Sequence, residues 1–287
     1  MANLKEIRSR IASVSSTMQI TSAMKMVSAA KLKKAQDAIT AMRPYADTLT
    51  ELLQNLSGSI EDASGSVFAT ERPVEKVLLV AITSNRGLCG GFNSSIIKEV
   101  VAQRDDNYAG KQVDVFTIGK KGNDILSKEF SVADNRGDVY DDDLTFANVA
   151  AVADQLMEHY ANGDYDRIDL VYNRFKNAAT QLVSTEQFLP IVTVKAETAL
   201  TSDYIYEPAQ EEIVSTLIPK ALKTQLFKAL RDSFASEHGA RMTAMHKATD
   251  NATELRDQLK LTYNKARQAA ITNEILEIVG GAEALNG

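Results

Sequence analysis

The sequence predicts an α/β protein with long terminal helices, in which the chain's two ends pair as an antiparallel coiled coil and its middle folds as an insert. Three observations predict this. From Met245 to Leu285 no Pro interrupts the chain and no Gly precedes Gly280, while steps of three and four residues run through Met245, Ala248, Ala252, Leu255, Leu259, Thr262, Ala266, Ala269, Asn273 and Leu276. That spacing winds one helix around another. The N-terminus repeats it at Leu4, Ile7, Ile11, Val14 and Met18, and again at Met42, Tyr45, Leu49, Leu52 and Leu56. Between the ends, short apolar runs alternate with helical segments, as in a mostly parallel sheet with flanking helices.

The first helix opens at Ala2 or Asn3 and runs to about Leu56, with a slight bend at Arg43-Pro44 and a stop at Ser57-Gly58-Ser59. At about 1.5 Å per residue it is on the order of 85 Å long, and a helix from Pro219 to Leu285 is about 100 Å. From Ile20 to Leu32 apolar residues face nearly every direction, which predicts a local phase slip and cover from other chains. Six of the ten C-terminal seam residues are Ala, Thr or Asn, which fits close approach to a partner helix and contacts on several faces. Lys31, Lys33 and Lys34 read either as a solvated helix face or as a contact for an acidic loop. The resulting division is 1–58 for the first helix, 59–73 for a linker, 74–207 for the insert and 208–287 for the C-terminal helix.

Composition narrows the function classes. Among 287 residues no apolar run approaches the roughly 20 needed to span a bilayer, and Met1 to Arg10 is too charged for a secretory signal. The expectation is a soluble intracellular protein. A single cysteine, Cys89, excludes an internal disulfide framework and any CxxC motif. His159, His238 and His246 have no metal-ligand spacing. Residues 1–58 carry eight basic and four acidic side chains, residues 209–287 carry ten of each, and the middle is strongly acidic. Within residues 220–273 ten basic side chains face five acidic ones, so an acidic partner surface is expected. The bases lack interleaved aromatic residues, which argues against nucleic acid.

The insert opens with Val77-Leu78-Leu79-Val80-Ala81-Ile82, a continuous apolar run expected of a strand buried on both faces. A glycine-rich turn, Ser84 to Asn93, leads into a helix from about Ser94 to Arg104. Further strands are expected at Val113–Ile118, Ile168–Tyr172 and Thr180–Phe188, the last two compatible with a hairpin, and helices at Lys120–Lys128 and Phe146–Tyr160. The pattern is Rossmann-like, yet GLCGG does not match GxGxxG, and no Lys-Ser or Lys-Thr follows the glycines. No acidic residue ends the next strand to hold a ribose. The glycines are therefore read as a tight, closely packed turn. Cys89 reads as a small buried thiol, and Asp141-Asp142-Asp143 as a solvated loop whose Asp143 caps the next helix. No catalytic, cofactor or metal constellation is expected.

IRSRIASVSSTMQITSAMKMVSAAKLKKAQ near the start, TSNRGLCGGFN in the middle, and SEHGARMTAMHKATDNATEL with YNKARQAAITNEILEIVGGAEAL at the end resemble the gamma subunit of the bacterial rotary, F-type ATP synthase. The resemblance covers essentially the whole chain. It implies a non-catalytic central stalk that rotates inside a hexamer of three alpha and three beta subunits and couples proton or sodium flow to ATP synthesis or hydrolysis. ATP, ADP and Mg would reside in the alpha and beta subunits. The epsilon subunit, the membrane ring of c subunits and the delta subunit would be further partners, and the location would be the cytoplasmic face of the cell membrane.

Residue by residue, the resemblance implies beta-subunit contacts at Met24, Lys25, Arg241, Arg267 and Gln268. It implies an apolar bearing tip at Ile275, Leu276, Ile278, Val279, Ala282 and Leu285, and a surface facing the rotor ring and epsilon subunit at Tyr204, Tyr206 and Glu207. Lys25 stands where an acidic residue is common in relatives. The regulatory cysteine pair of the chloroplast form has no counterpart beside Cys89, so an internal thiol switch is not expected. Two other classes compete on sequence: a coiled-coil tether that presents an α/β module, and a nucleotide-binding enzyme with helical arms. All-round apolarity at residues 20–32 and at the far tip favours the stalk over the tether, and the missing phosphate-binding motif disfavours the enzyme.

Overall fold

In a computed structural model, residues 4–59, 67–70, 72–140, 144–191 and 210–286 are described. Helix α1 (Leu4–Ser59) is followed by β1 (Lys76–Ile82), α2 (Phe92–Ala102), β2 (Gln112–Ile118), α3 (Lys120–Leu126), β3 (Ser131–Asn135), α4 (Phe146–Ala161), β4 (Arg167–Phe175), β5 (Gln181–Leu189) and α5 (Gln210–Asn286). A π-helical turn, Gln103–Asn107, extends α2. The chain divides into two compact units, residues 29–241 and residues 1–28 with 242–287.

Unit 29–241 is built on a five-stranded sheet of order β3-β2-β1-β4-β5. Strands β3, β2, β1 and β4 run parallel, and β5 returns antiparallel to β4. Central strand β1 has Val77 through Ile82 all at 0% exposure, because both of its faces are covered. Val77, Leu79 and Ala81 pack with Ile96 and Val100 of α2 and Leu126 of α3. On the other face Leu78, Val80 and Ile82 join Val152 and Leu156 of α4 and Leu222, Leu226 and Leu230 of α5. The first half of α5 is thus part of the sheet's core, well beyond the seam expected of it.

Several expectations need correction. Helix α5 (Gln210–Asn286) starts within the 208–287 segment expected for it and ahead of Pro219, from which its length was reckoned; Pro219 lies inside it. Proline removes one helical N–H bond, and the helix continues because Ile218 and Leu222 beside it are anchored in the core. Strand β3 was not expected; SVADN is a short edge strand that alternates exposed and half-buried residues, with no apolar run to mark it. Helix α4 is capped by Thr145, whose hydroxyl accepts from the Asn148 N–H at 3.4 Å; Asp143 lies outside the described residues.

The predicted phase slip in α1 is absent. Its inward positions run Leu4, Ile7, Ile11, Val14, Met18, Thr21, Lys25, Ser28, Leu32, Ala35, Ile39, Met42, Ala46 and Leu49, an unbroken alternation of three and four. Small polar residues, Thr21 and Ser28, hold the register where larger apolar ones were expected, and Ile20, Met26 and Val27 are left outside it. Ala46 takes the place expected for Tyr45.

In unit 1–28 with 242–287 the two helix segments pair antiparallel. Thr249 donates to the Thr21 hydroxyl at 2.8 Å, Lys25 Nζ lies 3.3 Å from His246 Nδ1, and Arg256 Nη1 lies 3.4 Å from the Met18 sulfur. On α5 the inward positions are Met245, Thr249, Ala252, Arg256, Leu259, Tyr263 and Ala266. Met245, Ala252, Leu259 and Ala266 stand where the seam was expected, while Thr249, Arg256 and Tyr263 each lie one residue beyond Ala248, Leu255 and Thr262; Thr249 and Arg256 find partners on α1 and leave Leu255 46% exposed. The last three expected positions, Ala269, Asn273 and Leu276, are exposed.

Candidate functional site

The glycine-rich turn lies at the carboxyl ends of β1 and β4, where the strand order reverses. Ligands of open α/β sheets bind in that crevice. Here the chain's own helix α5 fills it. Gly239 lies against the β4–β5 turn, where an added Cβ would approach Ala178 Cα and O at 3.2 Å. Ala240 packs on Cys89 and Phe92. Arg241, 7% exposed, donates from Nη2 to the carbonyls of Arg86 at 3.0 Å and Gly87 at 3.2 Å, and from Nη1 to Glu237. Tyr140, on the loop ahead of α4, reaches Ser233 Oγ at 3.4 Å and hydrogen-bonds Glu237.

Side chains of the turn are spent on holding its own shape. The Asn93 carboxamide accepts from Ser84 N at 2.9 Å and donates to Ser84 Oγ at 2.8 Å, while Ser84 Oγ donates to the Arg86 carbonyl at 2.7 Å. Asn85 Nδ2 donates to the Gly137 and Tyr140 carbonyls. Leu88 (φ 63°) and Gly90 (φ 60°) take left-handed backbone, which turns Leu88 outward at 66% exposure. Gly119, at φ 109°, passes so close to Thr83 that a Cβ would sit 2.1 Å from its carbonyl oxygen. Cys89 is 2% exposed; burial pushes its thiol pKa up, against a hydrogen bond from Ser84 and the nearby Arg241 charge. A raised pKa disfavours the nucleophilic thiolate.

Glu237 is buried with Arg241, and burial raises its carboxyl pKa while the Arg241 charge is the largest opposing influence. Sequence reasoning missed Glu237 and Tyr140 in this network. The signal available was a Glu and an Arg four residues apart on one helix, a spacing that lets them pair.

The residues expected to meet other subunits are distributed unevenly. Arg241 is turned inward, its guanidinium engaged within its own unit. Met24 and Lys25 are half-buried on α1, and His246 lies between Lys25 and Asp250, 3.4 Å from the carboxylate. Arg267 and Gln268 are exposed, and so is every residue from there to Ala282. Ile275, Leu276, Ile278 and Val279 are 54%, 63%, 66% and 52% exposed. The side chain of Leu285, and Tyr204, Tyr206 and Glu207, lie outside the described residues. Among described residues there is no cluster of metal-ligating side chains, and no helix is long and apolar enough to cross a membrane.

A family model described as ATP synthase matches residues 3–285. The ATP synthase gamma chain of Flavobacterium johnsoniae is 74% identical over 288 residues, covering all of both chains. That of Christiangramia forsetii is 66% identical, and that of Geobacter metallireducens 45%, again over the whole of each. Among solved structures, a chain of the Tetrahymena thermophila mitochondrial ATP synthase central stalk and c-ring is 27% identical with a TM-score of 0.60, covering 80% of this chain and 99% of that one. A chain of the Euglena gracilis mitochondrial ATP synthase rotor, at 22% identity and a TM-score of 0.67, covers 93% of this chain and 98% of that one and shares the fold. From end to end, this chain belongs to the gamma-chain family of ATP synthase.

Proposed function

We propose that the chain is the central stalk of an F-type ATP synthase, turning inside a hexamer of three alpha and three beta subunits and coupling proton or sodium flow to ATP synthesis or hydrolysis. A gamma chain is a coupling subunit of the complex and not its catalytic entity, so ATP, ADP and Mg belong to the alpha and beta subunits. The observation that carries the reading is the run from Arg267 to Ala282, helical yet exposed at every position, with four large apolar side chains at 52–66%. Apolar surface of that kind calls for cover from a partner, and a hexamer's apolar sleeve supplies it.

The mechanism follows from asymmetry. One helix pair inside a three-fold ring meets three equivalent catalytic subunits with three different surfaces. Each contact shifts a subunit's conformational equilibrium only by its difference in free energy between states. Polar contacts from Arg267 and Gln268, and beta-subunit contacts from Met24 and Lys25, would be made and broken in turn, while the tip at Ile275, Leu276, Ile278, Val279, Ala282 and Leu285 turns as a bearing. Tyr204, Tyr206 and Glu207 would face the epsilon subunit and the ring of c subunits, with delta elsewhere in the complex. Peripheral attachment to the membrane would be on its cytoplasmic face.

Co-expression with the alpha and beta subunits of the same organism tests this. The chain should purify with the hexamer at one copy, and removing residues 267–287 should impair ATP-driven ion pumping. A hexamer that never retains the chain would leave the tether reading in its place.

A further inference from the structure

We infer that Arg241 is a positioning residue for coupling: paired with Glu237, its guanidinium clamps the Arg86–Gly87 backbone to α5, so that the exposed edge of the β1–α2 turn moves as one body with that helix. The consequence for coupling rests on the stalk reading above; the clamp itself does not. The turn's own side chains hold its shape, Ser84 Oγ on the Arg86 carbonyl among them, and Arg241 is what ties that backbone to α5. The turn's left-handed residues, Leu88 and Gly90, carry the backbone out of the sheet ladder. The Gly87 carbonyl accepts from Arg241 at 3.2 Å and the Arg86 carbonyl at 3.0 Å. A guanidinium can serve two carbonyls with one nitrogen and a carboxylate with another; an ammonium has no such planar fork.

Glu237 gives the clamp a pH signature. The groups facing it are Arg241 on its own helix, Tyr140 from the loop ahead of α4, Lys31 from α1 and Cys89 from the turn. Without the guanidinium, a buried carboxyl loses its largest favourable charge. It is tolerated when protonated and disruptive when ionised, because an unpaired buried charge is strongly destabilising. A folded-state carboxyl pKa above its unfolded value makes stability fall as pH rises through that interval.

The test uses the assembled complex carrying the wild-type chain, Arg241→Lys, Arg241→Met or the double variant Arg241→Met with Glu237→Gln. Hydrogen-exchange protection of residues 84–93 is measured from acid to alkaline pH, corrected for intrinsic exchange, alongside ions pumped per ATP hydrolysed. Arg241→Met should lose on the order of a hundredfold in protection at the alkaline end and less at the acid end. The double variant should lose protection without that pH slope, and Arg241→Lys should fall between wild type and Arg241→Met. Pumping per ATP should decline in the same order as protection. Unchanged protection in Arg241→Met overturns the clamp, and an identical pH-independent loss in single and double variants reduces Arg241 to packing. Lost protection with pumping per ATP intact overturns the coupling role. Exchange can also be followed on the whole chain alone, so the clamp and the stalk reading can fail separately.

Discussion

Replacing Ile275, Leu276, Ile278 and Val279 together by Ser separates a surface kept for a partner from one used within the chain. These side chains are 52–66% exposed. Full burial of such a residue is worth about 1.5–3 kcal/mol, so the exposed fraction leaves about 1–2 kcal/mol per residue for a partner to gain, or roughly 4–8 kcal/mol across the four. Within the chain the same substitutions remove little, and exposed changes usually stay within about 0.5 kcal/mol each. The variant should therefore keep the urea midpoint of the free chain, with modest shifts confined to the last turns of α5. In the assembled complex it should dissociate at a lower urea concentration and pump fewer ions per ATP hydrolysed. A free chain that loses several kcal/mol would show that the tip packs internally. An unaffected complex would remove the bearing role altogether.

Other substitutions test the packing. Met245→Ala, at a residue 4% exposed, should cost about 2–5 kcal/mol in urea unfolding, whereas Leu255→Ala, one of the seam positions expected from sequence, should cost under about 1 kcal/mol; equal losses would restore the expected register. Gly119→Ala drives a Cβ onto the Thr83 carbonyl at a φ that L residues avoid. It should destabilise unit 29–241 by about 3 kcal/mol or more, read as a lowered urea midpoint. Asp169, 2% exposed, has its carboxyl pKa raised by burial, against the Tyr108 hydroxyl and Arg167. Its folded form therefore holds a proton more tightly than the unfolded chain, and stability should fall as pH rises from the ordinary carboxylate value of about 3.9 to the raised one. Asp169→Asn should flatten that slope, and a steeper slope would reverse the argument.

Much of the fold was legible where one physical rule dominates. Strand β1 announced itself because a doubly covered strand must be apolar at every position, and Leu4 to Met18 because a helix pair needs one stripe. For β4 and β5 the strands were legible and a hairpin was one option; the antiparallel pairing settles it. Legibility failed where a polar residue occupied an inward position. Thr21 and Ser28 carry the α1 register through a stretch whose large apolar residues point elsewhere, and Arg256 displaces Leu255 because its guanidinium reaches Met18. Arg241 shows the same limit at the candidate site. A lone arginine on a long helix reads as a surface contact, and only the fold reveals two carbonyls and a buried carboxylate waiting for it.

Rotation itself is the most direct test of the central claim. Cys89 is buried, so a cysteine introduced by Asp106→Cys on the exposed π-helical turn would be the reactive thiol of the chain. A bead attached there, on complexes immobilised through the hexamer, reports the chain's motion under a microscope. The account predicts stepwise rotation in one direction when ATP is added, halted when ATP is withdrawn. A complex that hydrolyses ATP steadily while the bead stays fixed would contradict it.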